Sequence, residues 1–428
     1  MIPDGNWDPT IRSLLEHMQK VEASDLYLTA GSPPVFRIDG VGYPAKTSVS
    51  GEQIGKMINT LMTAAQRDEF QQRMEMNLSL STAAGGRFRA NMFRQRGAPG
   101  AVFRLVRTQI KTLAELGHPA ILGDVMRSKR GLVLLVGGTG SGKSTTLAAM
   151  IDHRNAIETG HIITIEDPVE FIHAHKKCIV TQREVGIDTL TYRDALKNTL
   201  RQAPDVILIG EIRDAETMES AIAFAETGHL CVSTLHANNA NQALERILNF
   251  FPPLRQHEIR LQLSLNVRAI VSQRLVAGSS GGRAAALEIM LDTPRIRDLI
   301  KRGETEAVKD AMEQGHHEGC QTFDSALFDL VVAEKIDDVE AIKAADSPNN
   351  LRMRIDRLRQ SGGATELEVE KQLRLAPIVP IHRPGTTERT ERSMNPVQAA
   401  VNAANKTAAG TPATAMPRAL TNGTTIRR

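Results

Sequence analysis

A glycine-rich segment near the middle of the chain has the spacing of a phosphate-binding loop. Gly137, Gly142, Lys143 and Ser144 fill the defined positions of the pattern G-x-x-x-x-G-K-[ST], directly after the apolar run 132–136. In such a loop the backbone N–H groups and the lysine hold phosphate oxygens, the serine ligates Mg²⁺, and the following helix adds its positive dipole end. The sequence therefore predicts a site for a nucleoside triphosphate and Mg²⁺. Its binding residues are Gly137, Gly138, Thr139, Gly140, Ser141, Gly142, Lys143, Ser144 and Thr145.

Two glutamates follow apolar runs that have the length of buried strands. Glu166 comes directly after 162–165, and Glu211 comes two residues after 206–209. Hydrolysis needs a group that orients or deprotonates the attacking water, and the ends of core strands are where such groups can face the γ-phosphate. We expect one carboxylate near Mg²⁺ and one near the water. The alternative for each glutamate is that it only caps a loop.

Two histidines bracket the next apolar run, 230–234. His229 precedes the run and His236 follows it. A histidine beyond the end of a core strand could sense the γ-phosphate. The alternative is that one or both are ordinary structural histidines. Metal ligation is disfavoured, because no Cys, His and Asp cluster has the spacing of metal ligands.

Arginines are concentrated in a predicted hairpin of the N-terminal part. They are Arg87, Arg89, Arg94, Arg96, Arg104 and Arg107. A P-loop enzyme often takes an arginine from another domain or subunit to neutralise charge in the transition state, and Arg89 and Arg104 on adjacent strands suit that role. The alternatives are a solvated basic strand face and an RNA-binding sheet. Only 4% of the residues are aromatic, which disfavours a sheet that stacks on bases.

The elements that must position these residues follow two different patterns. Before about residue 107, short strand-like runs surround a helical stretch at 51–74, which predicts a small α+β domain. Its strands are 26–29, 35–39, 87–95 and 101–106, the last two joined by a hairpin connection at 97–100. From residue 130, apolar runs alternate with helices, which is typical of a parallel α/β core. These runs are 132–136, 162–165, 206–209, 230–234 and 285–290.

Several residues predict where the helices of the second part begin and end. Thr191 followed by Asp194 has the spacing of a capping box, and Asp214 is a predicted N-cap. Pro204 is expected to end the first of these helices and Gly228 to close the second.

Composition and length exclude several classes of protein. The chain has 428 residues, of which 41% are hydrophobic and 24% charged, so we expect two or three folded units. Its three cysteines, Cys178, Cys231 and Cys320, lie far apart and can build neither a disulfide framework nor a four-thiolate zinc site. This favours a reduced, cytosolic setting. No apolar run is long enough for a membrane helix, and we expect no signal peptide at the N-terminus.

The basic charge of the chain is concentrated at its C-terminus. Residues 361–428 carry nine Lys and Arg against five Asp and Glu, which leaves 43 basic and 44 acidic residues elsewhere. The same segment has no aromatic residue, so it holds too little apolar surface to offset the entropy of the chain. We predict a disordered tail at 361–428. The net charge of +3 is therefore poor support for nucleic-acid binding.

Four motifs, in order, resemble those of the type II/IV secretion ATPases. They are the Walker A segment 137–144, an Asp-box at 163–170, the Walker B segment 200–214 and a His-box at 225–237. Segments 23–26 and 31–34 resemble the start of the type IV pilus retraction ATPases, the PilT/PilU family, and the resemblance covers about 11–359. Three later segments look more like PilU than PilT: 238–244, 294–300 and 321–328.

The resemblance implies an α/β protein with two domains and a tail. A PAS-like α+β N-terminal domain would cover 1–107, an interdomain linker 108–118 and a RecA-like P-loop ATPase domain 119–360, followed by the disordered tail at 361–428. It also implies that ATP binds between the two domains and that the chain assembles as a hexameric ring.

The same resemblance implies roles for the predicted site residues. Lys143 and Ser144 would bind phosphate and Mg²⁺, Glu166 would be the catalytic base, and Glu211 would hold the Mg²⁺ shell, most simply through water. The remaining catalytic residues would be Arg89 and Arg104, which approach the γ-phosphate, and His229 and His236, which sense the nucleotide state.

Finally, the resemblance implies a cellular function, a set of partners and a location. Pilus assembly and type II secretion ATPases commonly carry a tetracysteine zinc motif that this chain cannot form, which favours pilus retraction over extension. The implied partners are further copies in a homo-hexamer, an inner-membrane pilus platform protein and a PilT-type ATPase, with no zinc and no nucleic acid. The implied location is cytoplasmic, at the inner face of the cytoplasmic membrane at the pilus base, where ATP hydrolysis would drive retraction and twitching motility. Two other functions stay open: an ATP-binding ring subunit that regulates without turnover, and a RecA-like motor acting on nucleic acid.

Overall fold

Two β-sheets organise the chain, one before residue 107 and one after residue 130. The computed structural model describes residues 6–38, 40–106 and 109–360. These residues belong to one compact unit. Each sheet has its own hydrophobic core.

The N-terminal sheet is antiparallel throughout and has the strand order β3-β2-β1-β6-β5-β4. Its strands are β1 (Asp25–Leu28), β2 (Val35–Ile38), β3 (Val41–Pro44), β4 (Glu75–Ser81), β5 (Arg87–Gln95) and β6 (Ala98–Val106). Its helices are α1 (Pro9–Lys20), α2 (Gly51–Thr60) and α3 (Ala64–Arg73). Apolar residues of these helices, such as Ile11 and Ile54, share one buried core with Phe88 and Phe103 of the sheet. The core holds the hairpin of β5 and β6 in place.

The second sheet is parallel except for one edge strand. Its order is β13-β12-β7-β11-β10-β8-β9, and only β12 and β13 run antiparallel. The strands are β7 (Gly131–Val136), β8 (Gly160–Glu166), β9 (Cys178–Glu184), β10 (Val206–Ile209), β11 (Leu230–Leu235), β12 (Val267–Ala277) and β13 (Arg283–Leu291). Every residue of β7, β10 and β11 is buried. This is expected for parallel strands that helices cover on both faces.

Helices cover both faces of this sheet. On one face α4 (Ile121–Met126) and α5 (Lys143–Ile157) pack against the strands. The other face is covered by α6 (Tyr192–Thr199), α7 (Ala215–Glu226), α8 (Ala240–Asn249), α9 (Pro253–Asn266), α10 (Pro294–Arg302) and α11 (Val308–Gln314). A further group packs on β12 and β13: α12 (Phe323–Val332), α13 (Asp338–Ala344) and α14 (Pro348–Gln360). Short 3-10 turns lie at Leu200–Gln202, Thr305–Ala307 and His316–Glu318.

The predicted fold class is confirmed, and three local predictions are wrong. The helix predicted at 51–74 is two helices, because Thr63 and Gln66 form a capping box that starts α3. The predicted connection at 97–100 is tighter: Arg96 and Gly97 make the turn, and the next residues already belong to β6. The first capping-box helix, α6, ends at Thr199, before the 3-10 turn and ahead of Pro204.

Other parts of the prediction concern residues that the structure does not describe. The predicted tail at 361–428 lies outside the described residues, and so do residues 107 and 108, which include Arg107 of the predicted arginine group. The domain bounds 1–107, 108–118 and 119–360 therefore stay predictions. Within the described ranges, no helix combines the length and the apolar character needed to cross a bilayer.

Candidate active site

The predicted phosphate-binding loop lies between the end of β7 and the start of α5. Gly142 is the N-cap of α5 with a φ of +88°, a left-handed conformation that favours glycine. A Cβ atom at Gly142 would lie 2.8 Å from Nε2 of Gln273, and one at Gly137 would lie 2.7 Å from the carbonyl oxygen of Gln273. The loop is therefore seated directly on β12, in a space that only glycine fits.

Polar groups of this loop are left for a ligand to satisfy. Among the described residues, Oγ of Ser141 is buried without a hydrogen-bond partner. The first turn of α5 has no intrahelical acceptor for its amides, since the first bond of this helix runs from the Thr146 N–H to the Gly142 carbonyl oxygen at 3.1 Å. A helix N-terminus with free N–H groups binds anions. The loop thus fits the phosphates of a nucleotide.

Lys143 carries the positive charge of the loop. Its Nζ donates to the carbonyl oxygens of Gly137 and Gly138 at 2.7 and 2.9 Å, so the side chain folds back over the loop. Burial lowers the pKa of Lys143, and the nearby carboxylate of Glu211 opposes this effect. The ammonium group therefore lies over the loop, and Lys143 lines the cavity beside it.

Glu166 is the last residue of β8, and two side chains hold its carboxylate. Oε1 of Glu166 accepts a hydrogen bond from Oγ1 of Thr164 at 2.7 Å and a second one from Nε2 of Gln182 at 3.3 Å. Burial raises the pKa of Glu166, whereas these two bonds lower it. A carboxylate that is partly desolvated and firmly oriented is suited to accept a proton from water.

Glu211 and His236 meet at the carboxyl ends of two neighbouring strands. Glu211 lies two residues after β10 and His236 directly after β11, and Oε1 of Glu211 is 3.0 Å from Nε2 of His236. The other oxygen, Oε2, is bound by Arg213 at 2.7 Å. The structure therefore brings the predicted acid and the predicted histidine together. His236 also borders a second, more open cavity of about 440 Å³ beside Gly137.

A cavity of about 250 Å³ joins the loop to these acids. The predicted site residues along it are Thr139, Gly140, Lys143, Ser144, Glu166, Glu211 and His236. Residues that are far apart in sequence thus face one space, because the carboxyl ends of β7, β8, β10 and β11 share one edge of the sheet. Within the described part of the chain, no three His, Cys, Asp or Glu side chains cluster as metal ligands. Mg²⁺ commonly takes only one or two protein ligands beside phosphates and water, so a hydroxyl and one carboxylate fit it.

The two predicted arginines lie opposite each other on β5 and β6, and neither lines this cavity. Arg89 reaches the second sheet: it donates to the Val169 carbonyl oxygen and lies 3.6 Å from a carboxylate oxygen of Glu184 and 3.8 Å from one of Glu170. Arg104 instead pairs with Asp25, with Nε 2.9 Å from Oδ1. Arg89 therefore binds the segment that follows Glu166 in its own chain.

Comparison with known proteins identifies the family. A family model described as "Type II/IV secretion system protein" matches residues 4–324. The chain belongs to this family. The type IV pilus ATPase PilU of Pseudomonas aeruginosa is 52% identical over 344 residues, which cover 80% of this chain and 90% of the relative. The PilT retraction ATPase of the same organism is 42% identical, over 79% of this chain and 99% of the relative.

A solved structure agrees with this assignment. The crystal structure of the pilus retraction motor PilT with bound ADP superposes with a TM-score of 0.75 at 39% identity, over 80% of this chain and 99% of that chain. The predicted membership of the PilT/PilU group is therefore confirmed, and the chain is a nucleotide-binding ATPase. The roles of its individual site residues stay predictions.

The predicted sensor His229 lies away from the nucleotide cavity of its own chain. His229 precedes β11, and its carbonyl oxygen accepts from the N–H of Gly131, the first residue of β7. It therefore lies at the opposite edge of the sheet from His236, roughly 20 Å away along six residues of strand. Its Nδ1 lies 3.1 Å from Oγ1 of Thr227. The structure does not bring His229 to the nucleotide cavity of its own chain, and the carboxyl-end rule applied to Glu166 and His236 would have set it aside.

The sequence prediction also missed residues of the site. Thr164 and Gln182 hold Glu166, and Tyr192 and Asp167 line the same cavity. Thr164 and Asp167 flank Glu166 in the sequence, so the strand-end signal could have included them. Gln182 lies on β9, whose half-exposed residues lack a buried apolar run, so it carried no comparable signal.

Proposed function

We propose that this chain is a motor ATPase that hydrolyses ATP to drive retraction of a type IV pilus, with Glu166 as the base. The observation that carries the proposal is the position of Glu166. Glu166 lines the cavity that Lys143 and Ser144 of the phosphate-binding loop also line. The relatives are named type IV pilus ATPase PilU and retraction ATPase PilT, which supports the pilus as the structure that the motor acts on.

In the proposed reaction, the loop amides and Lys143 bind the phosphates of ATP. The water oxygen attacks the γ-phosphorus while the bond from phosphorus to the β–γ bridging oxygen breaks, and Glu166 accepts the proton of the water. ADP leaves with the bridging oxygen, and phosphate is the second product.

Mg²⁺ would be held by the hydroxyl of Ser144 and, through water, by Glu211. When bound, it neutralises charge on the β- and γ-phosphates. Because Oε1 of Glu211 lies 3.0 Å from Nε2 of His236, a change at the γ-phosphate that moves Glu211 would also move His236. This link supports His236 as a sensor of nucleotide state.

Two variants test the assignment of binding and catalysis. We expect Lys143→Ala to abolish nucleotide binding, because it removes the cation of the loop. We expect Glu166→Gln to retain nucleotide binding and to lose turnover, since an amide cannot accept the proton. ATP binding and steady-state hydrolysis are measured for both variants. Equal hydrolysis by wild type and Glu166→Gln would refute the assigned base.

We further infer that the motor is a homo-hexameric ring at the inner face of the cytoplasmic membrane, acting on a pilus platform protein together with a PilT-type ATPase. Closure of rigid parts around ATP and their reopening after product release would supply the mechanical step. Mass in solution, measured alongside turnover, tests the ring. A monomer with full activity would contradict it, and a hexamer that binds ATP without hydrolysing it would instead indicate a regulatory subunit.

Arg89 and Arg104 are proposed to act on the nucleotide of a neighbouring subunit. Neither side chain lines the cavity of its own chain; Arg104 is 60% exposed, whereas Arg89 would have to leave Val169 and Glu184 to reach a neighbouring subunit. Rings mixed from Arg89→Ala or Arg104→Ala subunits and Lys143→Ala subunits test this proposal. We expect activity to be regained in mixed rings, because an intact arginine then faces an intact loop. Mixed rings with no more activity than the separate variants would count against a shared site.

A further inference from the structure

Tyr192 contributes a phenol hydroxyl to the cavity that Glu166 and Glu211 also line. It is the first residue of α6, and Thr191 caps the helix by accepting from the Asp194 N–H at 3.1 Å. The ring packs against the core on that face of the sheet, and the residue lines the cavity with Glu166 and Glu211. The helix start and the core therefore both hold the ring in place.

The position of the hydroxyl is defined by the space around Gly210. A Cβ atom at Gly210 would lie 3.0 Å from the Tyr192 hydroxyl oxygen and 3.2 Å from Cα of Glu166. Gly210 directly follows β10, and its N–H donates to the Ile165 carbonyl oxygen at 2.8 Å. The hydroxyl thus lies beside the backbone at the ends of β8 and β10, close to the backbone of Glu166.

The surroundings of this hydroxyl are acidic. Burial is the main cause that raises the pKa of Tyr192, and the charges of Asp167, Glu166 and Glu211 add to it, whereas Arg213 opposes them. The phenol therefore stays protonated and is a hydrogen-bond donor. Among the described residues, no hydrogen bond to this hydroxyl is formed. A donor without a protein acceptor, in a cavity that binds phosphate, is available to the substrate.

We propose that the Tyr192 hydroxyl is a catalytic hydrogen-bond donor to an oxygen of the transferring γ-phosphoryl group. The inference rests on the proposed function of the same site. Glu166, Asp167 and Glu211 accept hydrogen bonds when ionised and cannot stabilise negative charge on phosphate. Lys143 and the loop amides approach the phosphates from the loop, whereas the Tyr192 hydroxyl lies at Gly210, where the backbone of Glu166 is also close. A fixed donor on that side stabilises charge that spreads over the phosphoryl oxygens in the transition state.

The substitution Tyr192→Phe removes the hydroxyl and keeps the ring, so it tests the hydroxyl alone. The ring continues to pack on the core, so the fold and the binding of ADP should be retained. We expect kcat to fall about 100- to 1,000-fold, as for loss of one preorganised donor, with the KM for ATP changed less than about 2-fold. Affinity for ADP with aluminium fluoride, which imitates the transferring group, should fall together with kcat. The matched control is Tyr43→Phe, because Tyr43 lies exposed on the edge strand β3 and does not line the cavity.

Turnover of wild type and Glu166→Gln, measured in the same series, separates this inference from the proposed function. If wild type shows no Glu166-dependent hydrolysis, the proposed function fails. If hydrolysis depends on Glu166 but Tyr192→Phe matches wild type and Tyr43→Phe, the role of the hydroxyl is overturned. Loss of ADP binding together with turnover in Tyr192→Phe would also overturn it, since the residue would then be structural.

Discussion

Replacing Gln182 by methionine tests how the proposed base is held. The side-chain amide of Gln182 makes three hydrogen bonds. Its Nε2 donates to Glu166 Oε1 at 3.3 Å and to the Phe171 carbonyl oxygen at 2.9 Å, and its Oε1 accepts from the His173 N–H at 2.8 Å. Methionine has nearly the same length and makes none of these bonds. The substitution therefore frees both the carboxylate and the segment 171–173.

The expected magnitudes follow from these contacts. The two bonds to the backbone contribute about 1 kcal/mol each, so the free energy of unfolding should fall by about 2 kcal/mol, or roughly 4–8 °C in Tm. The long bond to Glu166 contributes about 1 kcal/mol, which corresponds to a roughly 5-fold lower kcat if it is fully used in the transition state. This bond also lowers the pKa of Glu166. Its loss should move the acid limb of the kcat profile to higher pH, because the base is then protonated at higher pH.

The assay is kcat for ATP hydrolysis as a function of pH, with thermal unfolding of the same samples. Thr164→Val is the companion variant, because it removes the shorter 2.7 Å bond to the same oxygen and should shift the acid limb further. Gln72→Met, on the exposed face of α3, is the matched control and should leave both quantities unchanged. If Gln182→Met and Thr164→Val both leave the acid limb unmoved while the fold stays intact, Glu166 is not the group that titrates in kcat, and the reasoning is refuted.

Two further predictions concern a buried acid and the loop. Burial raises the pKa of Glu288, whose Oε1 accepts from the Ala240 N–H and the Ser272 hydroxyl, so the folded state keeps this proton to higher pH than the unfolded chain. The free energy of unfolding should therefore fall as pH rises from 4.5 through the raised pKa, and Glu288→Gln, which keeps both acceptor bonds, should be equal to wild type below 4.5 and more stable near neutral pH in urea unfolding. Equal stability at both pH values would contradict this. Gly142→Ala adds left-handed strain of about 1–2 kcal/mol and a contact with β12, so nucleotide affinity should fall at least about 10-fold by titration calorimetry. Gly228→Ala carries similar strain with open space around it and should keep affinity, and equal affinities for the two variants would remove the steric argument.

Local physics made much of the site predictable from sequence. Position 142 has a left-handed backbone conformation that favours glycine, and the lysine next to it supplies the positive charge of the loop. The N-cap at Asp214 and the closing Gly228 behave as predicted, because caps satisfy backbone groups within one turn. Glu166 was found because it follows a buried apolar strand, and parallel strands bring their carboxyl ends to one edge.

Where apolar periodicity was weak, the elements themselves were harder to predict. The edge strand β9 alternates with half-exposed polar residues, so no apolar run marked it. The break between α2 and α3 depends on a cap at Thr63 within a pattern that is otherwise helical. Such features alter the course of the backbone but leave little trace in the local amino-acid composition.

The sequence by itself determined the loop, the strand-end acids, the fold class and the family. Only the tertiary structure decided which side chains meet. The sequence places His236 after β11, but its contact with Glu211, 3.0 Å between Nε2 and Oε1, depends on the pairing of β10 with β11. Gln182 and Tyr192 reach Glu166 and Gly210 from β9 and α6, which no local pattern connects. Arg89 binds Glu184 across 95 positions of chain because two separately packed sheets place them together. Contacts of this kind depend on how buried surfaces pack, and packing is a property of the whole fold.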